Sequence, residues 1–165
     1  PSWQFRPSVR PALFHRLDPD SFSTPAGSVA RTIVNGGMLS DEVISGVARP
    51  EFRSNLWIGG PGFPQWIDLT WQNPVEIRQI HLTFDNDLDR PLSAWAENGH
   101  APALVRNYDI GVTEGEDLRS VVSVADNVAR KRIHSIDPVM TRRLRITVNG
   151  TWGSDRSRVF ELRVY

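Results

Sequence analysis

The stretch Pro64-Gln65-Trp66-Ile67-Asp68-Leu69-Thr70-Trp71 decides the fold class of this chain. From Gln65 onward it alternates, with Trp66, Asp68 and Thr70 on one side and Ile67, Leu69 and Trp71 on the other. A period of two places one set of side chains on each face of a strand, so the segment predicts a half-buried β-strand with at least one of Trp66 and Trp71 in a core. Working outward, Val75 to Phe84 begins with Val75 and Ile77 in phase and then shifts to Ile80, Leu82 and Phe84, as a one-residue bulge requires. Tyr108, Ile110 and Val112 make a further stripe, residues 121–125 and 132–136 make shorter ones, and Leu144, Ile146 and Val148 alternate against Arg143, Arg145 and Thr147. The last strand runs from Val159 to Tyr165 with Phe160, Leu162 and Val164 inward. Helical periodicity is almost missing. The reading is all-β, an antiparallel β-sandwich or jelly roll of about eight strands joined by long loops at 35–57, 85–105 and 149–157.

The chain has 165 residues, no Cys and a 39% hydrophobic share, the size of one domain whose core must hold without disulfides or Cys-ligated metal. Nineteen bases balance nineteen acids, so no steering toward nucleic acid or an anionic membrane is expected. The signs are unevenly placed: residues 85–129 carry 9 acids and 3 bases, whereas 130–165 carry 3 acids and 9 bases. Neighbouring strands are expected to pair these charges across a solvated face. The arginines at 142, 143 and 145 make only a split patch, because strand neighbours face opposite ways. Asn149-Gly150-Thr151 matches a glycosylation sequon and equally a turn, which is the preferred reading.

No run of about 18 apolar residues occurs, so no spanning helix is expected, and the first residues lack a signal-peptide pattern. Beginning with Pro rather than Met points to an excised piece of a longer polypeptide. Residues 1–28 hold five prolines together with Trp3, Phe5, Leu13, Phe14, Leu17 and Phe22. They read as an extended arm or linker that lies against a neighbouring surface, with the sandwich domain spanning 29–165.

Taken in order, Asn35-Gly36, Trp57, the Pro64 to Leu69 strand, Val75 to Leu82, Tyr108-Asp109-Ile110-Gly111-Val112, Thr141 to Ile146 and Phe160 to Tyr165 resemble the galactose-binding-like jelly-roll superfamily. That superfamily includes discoidin (coagulation factor type C) domains and several carbohydrate-binding modules. A narrower resemblance lies in Ile44 to Pro50, Asn55 to Ile58 and Leu82 to Leu88, which look like the domain appended to the carboxyl side of some bacterial FAD-dependent oxidoreductases. It implies that an FAD-binding catalytic domain lies outside this chain, as its intramolecular partner. Gly59-Gly60-Pro61-Gly62 itself lacks the spacing and the helix of a dinucleotide site.

Trp57, Trp95 and Trp152 fall in or beside the long loops, where an indole can stack on a sugar ring while Asp85, Asp87 and Arg156 bind hydroxyls. Trp57 has a second reading, as a plug closing the end of the sandwich. Asp85, Asp87 and Asp89 stand two residues apart, but Arg90 and Ala96 occupy positions where an EF-hand needs Gly and Glu, so solvated or Arg-paired aspartates are the default. The superfamily resemblance implies a structural calcium held near Asn35 and by a late carboxylate that Glu161 matches. No H-E-x-x-H, G-x-S-x-G or P-loop occurs, and the histidines at 15, 81, 100 and 134 are far apart, so an independent enzyme is not expected. Two functions remain. One is a non-catalytic accessory module that binds carbohydrate, or the parent enzyme's substrate, through its loop ends. The other is a structural domain that docks on the flavin part and has no small ligand.

Overall fold

The computed structural model describes residues 31–34, 43–44, 56–87, 90–91, 93, 95, 99–115 and 117–165. Seven strands run through them: β1 (Arg31–Val34), β2 (Trp57–Ile58), β3 (Gln65–Phe84), β4 (Val105–Glu114), β5 (Asp117–Val124), β6 (Lys131–Thr151) and β7 (Arg158–Val164). Every pairing is antiparallel, in the order β2-β7-β3-β6-β4-β5, with β1 beside the first half of β3. No helix among the described residues is long and apolar enough to cross a membrane. The expected boundary at 28/29 lies outside the described residues.

Among the described residues the strands hydrogen-bond as one continuous sheet rather than as two separate ones. The reason is that β3 and β6, each read as two strands, continue through a proline. Straight, the 20 residues of β3 would run about 65 Å. Instead its two ends reach neighbouring residues, since Gln65 accepts the Ser157 amide (3.0 Å) and the Asp85 amide donates to the Arg158 carbonyl (3.1 Å). β3 therefore doubles back. The pairing with β6 is interrupted between Thr70 and Val75, around Asn73-Pro74, where proline cannot supply a ladder donor. β6 also returns on itself, because the Trp152 indole just past its end donates to the carbonyl of Asn127, just before its start (2.7 Å). Its residues 136–138, including Pro138, oppose Arg78 alone.

The predicted bulge in β3 is present. Consecutive amides of Arg78 and Gln79 both donate to the Tyr165 carbonyl (2.6 and 2.8 Å), which moves the inward set from Ile77 to Ile80, Leu82 and Phe84. Doubling the sheet brings its inner faces together: the Phe84 ring on β3 and the Tyr108 ring on β4, strands that share no ladder, lie 5.2 Å apart. Ile67, Leu69, Ile110, Leu144, Ile146 and Val164 complete the middle of this core, all at most 1% exposed. Trp71 joins it. Trp66 lies half-buried on the other face, under the Arg145 guanidinium at 4.0 Å. Phe160 is buried as expected but lies outside the main core cluster, because β7 skips it in register between Glu161 and Val159, and Arg130 covers its ring at 5.4 Å.

The expected pairing of the acidic 85–129 stretch with the basic 130–165 stretch is met by Arg158 on Asp85 and Asp87 (3.2 and 3.4 Å), but the ion-pair cluster across neighbouring strands uses a buried acid from outside that stretch. Asp68, buried, receives Arg143 (2.6 Å) and a two-pronged contact from Arg145 (2.7 and 2.8 Å). These hydrogen bonds raise the Arg145 pKa above its ordinary value. Arg142 is exposed, at the point where the ladder with β3 is interrupted between Thr141 and Arg143. Asn149-Gly150-Thr151 is not a turn but the end of β6, with the Asn149 amide donating to Asp109 (2.6 Å); the chain turns after it, at 152–157.

Candidate functional site

Because β3 and β6 double back, their starts and ends collect at one rim of the fold with the loops 59–64, 125–130 and 152–157 and with residues 85–87 and 99–104. Buried polar groups latch these loops together. Gln65, 2% exposed, donates to the carbonyls of Gly60 and Gly62 (2.6 Å to the latter) and accepts both the amide and the hydroxyl of Ser157. Asp87 accepts the Ala103 amide (2.8 Å), and Arg158 reaches both Asp85 (3.2 Å) and Asp87 (3.4 Å). The amides of Gly153 and Ser154 close on the Pro102 carbonyl (3.0 and 2.9 Å).

Trp152 stands among these latches. Its indole N–H is fixed by the Asn127 carbonyl, and the buried Asn127 side chain donates in turn to Val105 (2.8 Å) and Ala129 (3.0 Å). The His100 ring lies 3.9 Å from the indole and the Arg106 guanidinium 4.5 Å from it, a contact of cation–π type. Arg106 donates to Asp126 (2.7 Å), whose own amide donates to the Asn107 side chain (3.0 Å). The side chains of Arg106 and Asp126 remain 43% and 63% exposed, so donors and an acceptor face solvent beside an oriented indole. Asp126 adopts φ 53°, a left-handed conformation that non-glycine residues adopt rarely and mostly where surrounding contacts impose it.

Of the residues singled out from sequence, Trp152 and Arg156 reach this rim. Arg156 is exposed, its backbone held by Ser154, and its side chain makes no hydrogen bond or ion pair among the described residues. Trp57 is corrected: it is completely buried, paired through β2 with Val159, and presents no face to a sugar, which leaves the plug reading. Asp85 and Asp87 are corrected as well. They are 8% and 1% exposed and closed off by Arg158, so they hold loops rather than hydroxyls. Trp95 packs half-buried against the core, with its indole nitrogen shielded from solvent. Sequence reasoning missed His100, Arg106, Asp126 and Asn127, whose association depends on pairings across 20 residues or more that no spacing encodes.

Of the two residues assigned to calcium, only Glu161 lies among the described residues. Asn35 lies outside the described residues, and buried Glu161 is held by Arg163 (2.6 Å) on its own strand. No group of three His, Asp or Glu residues suited to a metal occurs among the described residues. The described histidines are engaged elsewhere: His81 with Gln79 (2.7 Å), His134 with the Tyr108 hydroxyl (2.8 Å) and His100 on Trp152. Burial pushes the Tyr108 pKa up to about 12, so that hydroxyl is no ready nucleophile. What the rim offers is hydrogen bonding beside an indole.

No family model matches the chain, and no curated protein matches it by sequence. Solved structures do match by shape. CpGH89CBM32-5 from Clostridium perfringens, solved with GalNAc-β-1,3-galactose, superposes at a TM-score of 0.63 with 14% identity over 82% of this chain and 94% of its own. Chitosan-binding module 2 of a chitosanase/glucanase from Paenibacillus sp. IK-5, solved with chitotriose, gives 0.64 with 15% identity over 82% and 95%. The family 32 carbohydrate-binding module of C. perfringens NanJ, solved with galactose, gives 0.62 with 14% identity over 81% and 91%. The chain thus has the jelly-roll-like fold of these carbohydrate-binding modules.

Proposed function

We propose that this chain is a non-catalytic binding module that takes a carbohydrate, or a ligand of similar polarity, on the loop rim around Trp152. The observation that carries the reading is the indole held by Asn127 with His100 and Arg106 against its ring and Asp126 beside it. A sugar offers C–H groups ringed by hydroxyls, and the part of the indole left open beside His100 and Arg106, with the exposed Arg106 guanidinium over the ring and the Asp126 carboxylate next to it, supplies apolar contact and hydrogen-bonding groups together. The likeness to modules solved with galactose and chitotriose supports a saccharide as the ligand class. In this reading the doubled sheet corresponds to the galactose-binding-like sandwich. The larger chain it serves is an FAD-dependent oxidoreductase, on the resemblance at residues 44–50, 55–58 and 82–88.

The docking alternative ranks second. The most exposed large apolar residues, Leu118, Val128, Ile133 and Met140, are divided among β5, a loop and both halves of β6. The deciding experiment is a glycan array probed with the 165-residue chain and with Trp152→Ala and Trp95→Ala. Trp152→Ala is expected to weaken binding by about 1 kcal/mol or more, a fivefold or larger loss. Unchanged binding in that variant removes the site, and a silent array turns the reading to docking.

A further inference from the structure

The register of the sheet places four outward side chains in one row. Trp66 on β3 stands directly opposite Thr147 on β6, Thr147 opposite Asp109 on β4, and Asp109 opposite Ser123 on β5. Their chain neighbours Ile67, Ile146, Val148, Tyr108 and Ile110 are fully buried, so the row lies on the face turned away from the core. Directly opposed side chains start about 5 Å apart, which sets Trp66 and Asp109 about 10 Å apart with the smaller Thr147 between them. In the next row the Arg145 guanidinium stacks on Trp66 at 4.0 Å and adds to that wall. Gly111, opposite Arg145, carries no side chain, and Leu118 fills the space its Cβ would need. On the other side Asn149 donates to Asp109 (2.6 Å). The face thus holds a shallow trough floored by Thr147.

The Asp109 carboxylate sets this trough apart. Among the described residues the buried carboxylates Asp68, Asp85, Asp87 and Glu161 are each paired with an arginine. Asp109 is half-buried as well, yet its partner is the neutral Asn149 amide, and no arginine or lysine among the described residues pairs with it. A carboxylate engaged by one amide keeps acceptor sites for further donors. Asn149 and Ser123 are exposed and Thr147 is half-buried, so the trough opens to solvent. Here β6 is paired with both β3 and β4, and β4 with both β6 and β5, so the main chain is spent in ladders and recognition falls to side chains.

From this geometry we infer that the trough is a second saccharide site, in which one sugar ring lies over Thr147 between Trp66 and Asp109. The Asp109 carboxylate, the Asn149 amide and the hydroxyls of Thr147 and Ser123 meet sugar hydroxyls, while the Trp66 indole and the 46% exposed Leu118 offer apolar contact to C–H groups. An extended peptide finds no strand edge to join on this face, and an anionic ligand meets the Asp109 charge. Trp152 has no part in the row, so the inference goes beyond the rim reading and does not rest on it.

The test is an amide NMR titration of the 165-residue chain, and of its Trp152→Ala, Asp109→Ala and Thr147→Phe variants, with galactose and with chitotriose, each to about 20 mM. With at least one of the two sugars, the amides of residues 109, 123, 147 and 149 are expected to shift saturably, and equally so in Trp152→Ala. Asp109→Ala removes a charged acceptor and should weaken this binding at least about tenfold. Thr147→Phe fills the floor and should abolish it, with the dispersion of the remaining peaks checking that each variant is folded. Three results overturn the proposal: no saturable shift at these residues with either sugar, shifts that vanish in Trp152→Ala and so echo the rim, or shifts untouched by both Asp109→Ala and Thr147→Phe. Saturable shifts on this face with none at residues 127 and 152 would support it while removing the rim site.

Discussion

Replacing Gln65 by Leu keeps nearly the same volume and deletes every hydrogen bond of one latch. The side chain serves two kinds of partner. The carbonyls of Gly60 and Gly62 sit at half-buried and exposed positions, so water can replace the lost donors at little cost. Ser157 is completely buried, and both its amide and its hydroxyl point at the Gln65 oxygen. A buried group left without a partner costs about 1–3 kcal/mol, and the hydroxyl can rotate toward another acceptor while the amide cannot. The expected loss is therefore about 3 kcal/mol, a large share of the roughly 5–15 kcal/mol that holds a domain of this size. Gly59→Ala attacks the same latch from outside, because a Cβ there would sit 1.8 Å from the Gln65 oxygen. Urea unfolding followed by tryptophan fluorescence measures both variants, and Gln65→Leu combined with Ser157→Ala is expected to recover about 1 kcal/mol. A loss under about 1 kcal/mol for Gln65→Leu would refute the argument that the Ser157 amide is the stranded partner, whereas full additivity in the double variant would refute only the share given to its hydroxyl, since Ser157→Ala keeps the amide.

Asp68→Ala removes a buried carboxylate and leaves Arg143 and Arg145 facing each other, but their side chains are 40% and 22% exposed and can turn to water. The cost is expected below the roughly 3–5 kcal/mol of a fully buried pair, at about 2 kcal/mol of unfolding free energy measured in urea. Stability should also depend on pH through His134, whose pKa burial and then Arg132 hold below 6.5. As pH falls below 6.5 the unfolded chain takes up the proton first, so stability is level above that value and declines as pH drops through the lower folded pKa. Thermal unfolding of His134→Gln across pH 4–8 should show a shallower decline, the remainder belonging to His81, whose pKa is lowered in the same direction.

What the sequence made legible were features of local period. Alternation in 65–71 and 143–148 marks the faces of two strands, and the phase change between Ile77 and Ile80 marks the bulge, because a period of two leaves no other way to keep both sets buried. The continuity of β3 through Pro74 and of β6 through Pro138 was not legible. A proline reads as the end of a strand, yet here each falls at a gap in the ladder and bends its strand instead. Asn149-Gly150 misled for a related reason. The pair favours a turn in isolation, but β4 lies alongside and Asp109 takes the Asn149 amide. At the site, Trp152 and Arg156 could be assigned to a loop from position alone. Whether Trp57 or Asp87 would be exposed could not, since burial was decided by Val159 and Arg158, about a hundred and 71 residues further along.

The rim separates groups that hold it from groups that face outward, and Asp126 tests that division. Its carboxylate is 63% exposed and meets Arg106, while its backbone sits at φ 53° with the amide on Asn107. Asp126→Gly keeps the amide bond and removes the left-handed strain, worth up to about 1 kcal/mol in favour of the folded state. Against this stand the greater freedom of glycine in the unfolded chain, about 0.4–1 kcal/mol, and the loss of an exposed ion pair, about 0–1 kcal/mol. These nearly cancel, so the unfolding free energy should stay within about 0.5 kcal/mol of the parent chain. Saccharide binding should nonetheless weaken several-fold, because the acceptor beside Trp152 is gone and Arg106 is released. Urea unfolding and titration with the best glycan from the array, run on the same preparation, measure the two quantities. A stability loss above about 1.5 kcal/mol would make Asp126 a structural latch like Asp87. Unaltered affinity at unaltered stability would mean that the ligand does not reach this side of the indole.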